Sequence, residues 1–289
     1  MRPMKASQNS ATLLPRRFRM VLLHLAEEGR RDLDAIGSNA SRAMHALRTR
    51  MKNLRALLGL VKERMPKAAR KSILESANAL RDAFSLKRDA HVIAALRAEI
   101  GGRRQVASYQ KRAGEKLAAE TGAKHKALRA EASKLLRLIS KIELDGLTWE
   151  QVMDAYVRCY REGRSAMRKC LRDSDPEVLH KWRRPVKELF FQSHVLRPIE
   201  GMKHRMRQAR RLGDRLGKLN DLHLLEKSAG TAGKKGILRR VAKRREVLKE
   251  TAFKLGEKLF AAKPREVARE LERCLKSDPG VVERCLRQA

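Results

Sequence analysis

A row of cations beside an apolar stripe, both on one predicted helix, constrains the fold of this chain most. His180, Arg183 and Lys187 lie at offsets 0, 3 and 7, which places them on one helical face. An apolar stripe with the spacing of a core-facing side runs beside them: Leu179, Trp182, Val186, Leu189 and Phe190. The segment Asp175-Pro176-Glu177 predicts the helix start, because proline suits the first helical position and acids suit the first turn.

The same row occurs a second time, earlier in the chain. His45, Arg48 and Lys52 take the same three offsets, and Arg55 follows one turn later. The two histidines, His45 and His180, are 135 residues apart. A helical face that only meets solvent normally mixes charges of both signs, and acids are scarce on these two faces. The recurrence therefore favours an anion-binding role for both rows.

Two weaker matches flank the rows at nearly the same separation. Asp89 and Asp221 are 132 residues apart, and each has a histidine two positions later. The tripeptides Glu28-Gly29-Arg30 and Glu162-Gly163-Arg164 are 134 residues apart. Three matches in the same order predict an internal duplication of a helical unit.

The pattern of helix formers and breakers predicts an all-α chain. Helix-favouring residues dominate the composition, and no convincing period-2 alternation predicts a sheet. We expect a basic, disordered tail at 1–16, a first helical repeat at 17–145 and a second at 146–289. Thr148 and Gln151 have the spacing of a capping box and predict a helix start.

Several local features predict turns and a distortion. We expect turns at Arg88-Asp89 and at Asn220-Asp221, where the aspartate would cap the next helix. Pro185 lies inside the second motif helix and predicts a kink, because its ring clashes with the preceding turn. We therefore expect the second row to bind less strongly than the first.

The charge of the chain indicates a polyanionic partner. Lys and Arg total 68 against 33 acids, a formal net charge of +35, which concerns partners rather than fold. No apolar run approaches the ~20 residues of a membrane span, so no membrane partner is expected. The four cysteines contain no CxxC pair and are predicted to be free thiols in a reducing compartment, which favours a cytoplasmic location.

The sequence lacks the patterns that carry known catalytic chemistry. It contains no nucleophile elbow, no glycine-rich Walker loop and no HExxH segment. The two Asp-x-His pairs place their side chains on different helical faces, which disfavours a shared metal. We expect a protein that is not an enzyme and that requires no cofactor and no metal.

The two rows and the segments that follow them resemble the CHAD family, the conserved histidine α-helical domain. The resemblance rests on the two His-x-x-Arg-x-x-x-Lys rows, on Lys87-Arg88-Asp89 and on Leu216-Gly217-Lys218-Leu219-Asn220-Asp221, and it runs from about residue 17 to the C-terminus. It implies two helical bundles related by a pseudo-twofold axis, with a basic central surface or pore. It also implies non-catalytic binding of inorganic polyphosphate and association with polyphosphate granules.

The expected polyphosphate contacts form two groups. The first contains the members of the rows: His45, Arg48, Lys52, Arg55, His180, Arg183 and Lys187. The second contains cations close to the rows in sequence: Arg88, Arg184, Arg211 and Lys218. Arginine offers a fork that matches phosphate oxygens, lysine offers a mobile charge, and nearby phosphates would favour the protonated form of histidine.

Two alternative partners remain open from the sequence. A nucleic acid would meet the same positive charge through its phosphates, although aromatic residues for base stacking make up only 4% of the chain. A scaffold role, in which the basic face docks on acidic proteins or granules, is the third reading. Oligomeric state does not follow from the residues.

Overall fold

The helices of the chain are described over most of its length. The computed structural model describes residues 8–37, 40–101, 122–229, 235–278, 280–281 and 284–285, and no strand occurs among them. The all-α prediction is confirmed. The α-helices are α1 Gln8–Asp34, α2 Ala40–Leu60, α3 Lys67–Asp82, α4 Ser85–Gly101, α5 Gly122–Ser140, α6 Trp149–Arg172, α7 Pro176–Val195, α8 Met202–Ala229, α9 Lys235–Leu259 and α10 Pro264–Ser277. Short 3-10 turns cover Ala35–Gly37 and Lys62–Arg64.

Two groups of four helices each close into a ring. In the first group α1 packs on α2, α2 on α3, α3 on α5, and α5 returns to α1. In the second group α6 packs on α7, α7 on α8, α8 on α9, and α9 returns to α6. Each ring surrounds fully buried side chains, such as Leu22 and Leu135 in the first and Trp182 and Tyr156 in the second. The motif helices are α2 and α7.

The two rings share one continuous core. Helix α2 packs against both α6 and α7, and Gln192 Nε2 donates to the carbonyl oxygen of Ala56 at 2.9 Å across that contact. Helix α4 packs on α8 and α9 of the second ring, and Glu99 of α4 pairs with Arg244 of α9 at 2.7 Å. The division into repeats at 17–145 and 146–289 stays a prediction. Helix α4 belongs to the first predicted repeat and packs against helices of the second.

The sequence placed the start of the first helix too late. Residues 8–16 belong to α1, so the predicted disordered tail is wrong over that stretch. The tail residues 1–7 lie outside the described residues. Leu14 and Pro15 are buried, and this packing holds the helix across a proline that lacks the backbone donor.

Both predicted aspartate turns are wrong. Asp89 lies inside α4 and Asp221 inside α8, so neither residue caps a helix start. The break in the first unit falls earlier, at Ala83-Phe84, where Phe84 is buried. Helix α8 continues to Ala229 because its apolar stripe continues through Leu219, Leu222 and Leu225, all of which are buried.

The predicted helix starts of the second ring are confirmed. Thr148 and Gln151 form both hydrogen bonds of a capping box at the start of α6. Asp175 caps α7, with Pro176 as its first residue. Helix α7 continues through Pro185, whose carbonyl oxygen accepts from the Cys159 thiol at 3.6 Å inside the packed interface with α6. Helix α7 therefore carries its row along one uninterrupted helix.

The two copies of the Glu-Gly-Arg match differ in their packing. A methyl group on Gly29 would lie 2.6 Å from Met51 Cε of the motif helix α2, whereas one on Gly163 would lie 2.6 Å from the Phe260 ring beyond α9. The Glu-Gly-Arg match therefore has different neighbours in the two rings. The internal duplication itself stays a prediction.

The four described cysteines are free thiols. Cys159, Cys170 and Cys285 are buried free thiols, and Cys274 is a half-buried one, as predicted. Within the described ranges, every helix is too short or too polar to serve as a membrane-spanning segment.

A pair of glycines in α9 gives a test of helix packing. A methyl group on Gly256 would lie 2.7 Å from the Trp182 ring and 2.8 Å from Met167 Sδ, whereas one on Gly236 would meet nothing within 4 Å. We expect Gly256→Ala to lower the free energy of unfolding by about 1–3 kcal/mol through overpacking. Gly236→Ala, the matched control, should leave it unchanged or raise it. Equal effects in chemical denaturation would contradict this packing.

Candidate functional site

The row of α7 lies along the neighbouring helix α8. His180 Nδ1 lies 2.6 Å from Asn220 Oδ1, Arg183 lies beside Gly217, and Lys187 lies beside Gly213. Residue numbers along this contact rise in α7 while they fall in α8, so the two helices are antiparallel. Each cation of the row therefore has a defined neighbour on α8.

The two glycines of α8 make room for the cationic side chains. A methyl group on Gly217 would lie 3.3 Å from Arg183 Nη2, and one on Gly213 would lie 3.0 Å from Lys187 Cε. Contacts this short leave little room for any larger residue. The absence of a Cβ thus allows Arg183 and Lys187 to lie against the α8 backbone. We call this contact the α7–α8 seam.

Lys187 is positioned by two further groups. Its Nζ donates to Asp214 Oδ1 at 3.0 Å and lies 5.6 Å from the centroid of the Phe190 ring. The Lys187 side chain is 25% exposed and the Asp214 side chain 55%, so the pair lies at the surface of the seam. An anion that approaches Lys187 would compete with a carboxylate that can turn to solvent.

The row of α2 lies against the end of α3. Arg48 Nη1 donates to the carbonyl oxygen of Arg81 at 2.5 Å. The last carbonyls of a helix lack partners within it, and Arg48 satisfies one of them. The hydrogen bond from Arg81, together with the charges of Arg48 and Lys52, lowers the pKa of Asp82. His45 is exposed at the start of this row.

The two rows therefore have different neighbours. Helices α2 and α7 contact each other through Ala56 and Gln192, while the rows lie against α3 and α8. The prediction that both rows line one channel stays a prediction. Arg55 and Arg184, in contrast, lie in the same pocket between α2 and α7.

That pocket is a concave site between the two rings. It has a volume of about 440 Å³ and lies between α2, α3, α6 and α7. Five cations line it: Arg55, Lys62, Arg70, Arg158 and Arg184. Two carboxylates, Glu162 and Glu188, lie among them. We call it the inter-ring pocket.

The cations of the inter-ring pocket are compensated unequally. Arg184 pairs with Glu188 at 3.2 Å, and Arg158 and Lys62 share Glu63 at 3.1 and 3.9 Å. Within the described part of the chain, Arg55 and Arg70 form no ion pair with a carboxylate. The pocket therefore holds two cations that an anionic ligand would neutralise.

Burial changes the ionisation of two groups in this pocket. Burial raises the pKa of Glu188, and the charge of Arg184 opposes that rise. Burial also raises the pKa of the Cys159 thiol well above its ordinary value. Cys159 is therefore a protonated thiol of the pocket wall, without the thiolate that nucleophilic chemistry requires.

The comparison with protein families identifies the fold. The model of the CHAD domain matches residues 16–229, which include both rows, the α7–α8 seam and the inter-ring pocket. The chain belongs to the CHAD domain family. A comparison with curated proteins finds no match for this chain. The CHAD match ends at the last residue of α8, so it does not include α9 and α10. From the sequence we expected the resemblance to reach the C-terminus.

The remaining predicted contacts of this CHAD chain lie on α8 and α4. Arg211 and Lys218 are exposed on α8, the helix that carries the seam glycines. Arg88 belongs to α4, and its side chain lies outside the described residues. The role of all three as phosphate contacts stays a prediction.

Sequence reasoning missed several residues of the candidate site. Gly213 and Asp214 of the seam gave one usable signal, a glycine four residues before Gly217 inside a helix, where glycine is unfavourable without a close contact. Lys62, Arg70 and Arg158 of the pocket gave none, because only the packing of α2, α3 and α6 brings them together.

The ionisation of Glu188 predicts a pH dependence of folding. A raised carboxyl pKa in the folded state contributes stability that is complete below pH 4.5, the ordinary value, and is lost as the pH rises through the folded value. Relative to the native chain, Glu188→Gln should therefore gain stability between pH 4.5 and neutral pH. Urea unfolding at a series of pH values measures this difference.

The control for this experiment is a carboxylate whose pKa is lowered, so the expected change in stability with pH has the opposite sign. The hydrogen bond from Lys276 lowers the pKa of Glu272, which is exposed on α10. Glu272→Gln should therefore lose a little stability relative to the native chain as the pH rises from acid toward 4.5. A Glu188→Gln variant that followed the Glu272→Gln profile would contradict the burial of Glu188.

Proposed function

We propose that the protein binds inorganic polyphosphate without altering it chemically. The observation that carries this proposal is the α7–α8 seam, which holds a row of cations on one helix against glycines of the next. A row at offsets 0, 3 and 7 places its cations roughly 4.5 and 6 Å apart along the helix axis. Successive members of such a row can engage successive charges of a linear polyanion.

The contacts of the proposed site come from both motif helices. His45, Arg48, Lys52 and Arg55 of α2, with His180, Arg183 and Lys187 of α7, provide the first set. Arg184, Arg211, Lys218 and Arg88 provide the second set. Binding by both rows would place the phosphate chain along one channel between the rings. Such a protein would locate to polyphosphate granules in the cytoplasm.

The acid beside the α7 row supports an exchangeable anion. Asp214 pairs with Lys187, and the Asp214 side chain is 55% exposed. Exposed ion pairs contribute only ~0–1 kcal/mol, so a phosphate oxygen can replace this carboxylate at small cost. The displaced acid remains hydrated at the surface. Lys187 thus keeps its position in the absence of ligand and can still accept one.

A nucleic acid is the second candidate, because α8 carries a basic outer face. Lys203, Arg207, Arg210 and Arg211 are exposed there, with Asp214 as a nearby acid. Phosphates of DNA or RNA would meet this face equally well. Every described aromatic side chain, however, is buried or half-buried, so none offers an open platform for a base. The base-free polymer therefore fits the surface better.

A competition titration distinguishes the two candidates. Labelled long-chain polyphosphate is bound at near-physiological salt and challenged with DNA, RNA and tripolyphosphate at equal phosphate concentration. We expect unlabelled long-chain polyphosphate to compete far better than either nucleic acid. Equal competition by DNA or RNA would replace the polyphosphate proposal with a general nucleic-acid surface.

Charge reversal in both rows tests the proposed contacts. Arg48→Glu combined with Arg183→Glu should weaken polyphosphate binding by about 3–6 kcal/mol, since a hydrogen bond to a charged group contributes ~1.5–3 kcal/mol. The matched control is Arg137→Glu with Arg168→Glu, two exposed arginines outside the rows and the pocket. Circular dichroism checks the fold of both variants. Unchanged affinity in the row variant, or an equal loss in the control, would remove the rows from the site.

A further inference from the structure

The inter-ring pocket offers three kinds of surface to a ligand. Arg55 and Arg70 provide positive charge that no described carboxylate neutralises. Glu162 and Glu188 provide hydrogen-bond acceptors. Leu58, Leu74 and Ala155 provide an apolar wall. A ligand that satisfies the whole pocket must therefore combine negative charge, hydrogen-bond donors and carbon.

Polyphosphate lacks two of these three properties. Its oxygens accept hydrogen bonds, and they would be repelled by the carboxylates of Glu162 and Glu188. It has no carbon to cover Leu58 and Leu74. The polymer therefore accounts for the rows and for Arg55 and Arg184, and it leaves the carboxylates and the apolar wall of the inter-ring pocket unexplained.

We propose that the inter-ring pocket binds a compact organic phosphate monoester whose organic part carries hydroxyl or amine donors. Arg55 and Arg70 would hold the phosphate, and the donors would face Glu162 and Glu188. The volume of about 440 Å³ lies within the ~300–1,000 Å³ of small-molecule sites. This second site goes beyond the polyphosphate function and shares only Arg55 and Arg184 with its expected contacts.

The charge of the pocket matches one phosphate better than a long chain of them. Lys62, Arg158 and Arg184 already lie near Glu63 or Glu188, which leaves Arg55 and Arg70 uncompensated. A phosphate monoester carries a charge of about −1.5 to −2 at neutral pH, close to that of the two free cations. Further phosphates would find no further free cation in the pocket lining.

A buried amide lies in the pocket wall. Gln192 is 2% exposed, and its Nε2 donates to the carbonyl oxygen of Ala56 at 2.9 Å. That bond fixes the orientation of the amide, because a flipped group would oppose two oxygens. Its Oε1 has no partner within the described part of the chain. A buried acceptor without a partner is costly, so this amide oxygen is an unsatisfied group in the pocket wall.

Direct titration of the full chain tests this proposal. Glucose 6-phosphate, glycerol 3-phosphate and adenosine monophosphate serve as probes, with inorganic phosphate, tripolyphosphate and glucose as comparisons at constant ionic strength. We expect at least one probe to bind at least tenfold more tightly than inorganic phosphate and tripolyphosphate. The proposal is overturned if every probe binds no better than inorganic phosphate.

Two variants locate the binding and test the role of the acids. Arg70→Gln should weaken the best probe at least tenfold, whereas Arg137→Gln, the same change on exposed α5 surface, should leave it unchanged. Glu162→Gln should reduce the preference of the pocket for the organic phosphate over inorganic phosphate. An equal loss in Arg137→Gln, or an unchanged preference in Glu162→Gln, would refute the site.

The result can be separated from the polyphosphate function. Arg70 and Glu162 belong to neither row, so both variants should keep long-chain polyphosphate binding when it is measured in parallel. Probe binding is observed directly and without polyphosphate, so a failure of the polyphosphate proposal would not alter its outcome. Loss of both ligands in Arg70→Gln, with the fold intact by circular dichroism, would merge the two sites and overturn the separate one.

Discussion

The packing of α7 on α8 is the contact on which the candidate site depends. Two glycines one helical turn apart, Gly213 and Gly217, let Lys187 and Arg183 lie against the backbone of the next helix. The same antiparallel register brings His180 to Asn220. Glycine inside a helix costs about 1 kcal/mol relative to alanine, so the packing of α7 must offset two such costs. The same two glycines therefore allow both the close contact of α7 with α8 and the placement of Lys187 and Arg183.

Acidic side chains relieve part of the net charge of +35. In the first ring, Glu27, Glu28, Asp32 and Asp34 pair with arginines of α1, α2 and α5. Near the rows, Asp214 pairs with Lys187 and Asp82 pairs with Arg81. An anion that bound at the rows would stabilise the folded chain by mass action.

Local features of the fold could be predicted from the sequence, and features set by distant contacts could not. The helical class, the Thr148 capping box and the α7 row depend on residues within a few turns of each other, and the structure confirms them. The break at Ala83-Phe84 and the crossing of α4 to α8 depend on which ring buries the side chains. Asp89 and Asp221 look like caps by residue type, and continued apolar stripes keep both inside helices.

The same limit applies to the candidate site. The row residues could be named because a helix fixes their spacing in advance. The inter-ring pocket joins α2, α3, α6 and α7, and Arg70 and Arg158 enter it only once those helices are packed. These residues come from separate segments of the chain, so no spacing within one segment indicates that they line a common pocket. For that reason no motif predicted the pocket.

The rows and the pocket use similar cations and differ in the acids beside them. Asp214 is half exposed and can return to water when a phosphate takes its place beside Lys187. Glu188 is 25% exposed with a raised pKa, so its burial opposes the charged form, and it has no comparable route to solvent. Arg184 Nε already donates to Glu188 Oε1 at 3.2 Å, so a ligand donor would serve the other oxygen of this carboxylate. A polymer of bare phosphates suits the rows, and a ligand that carries its own donors suits the pocket, so one pair of helices can select two kinds of anion.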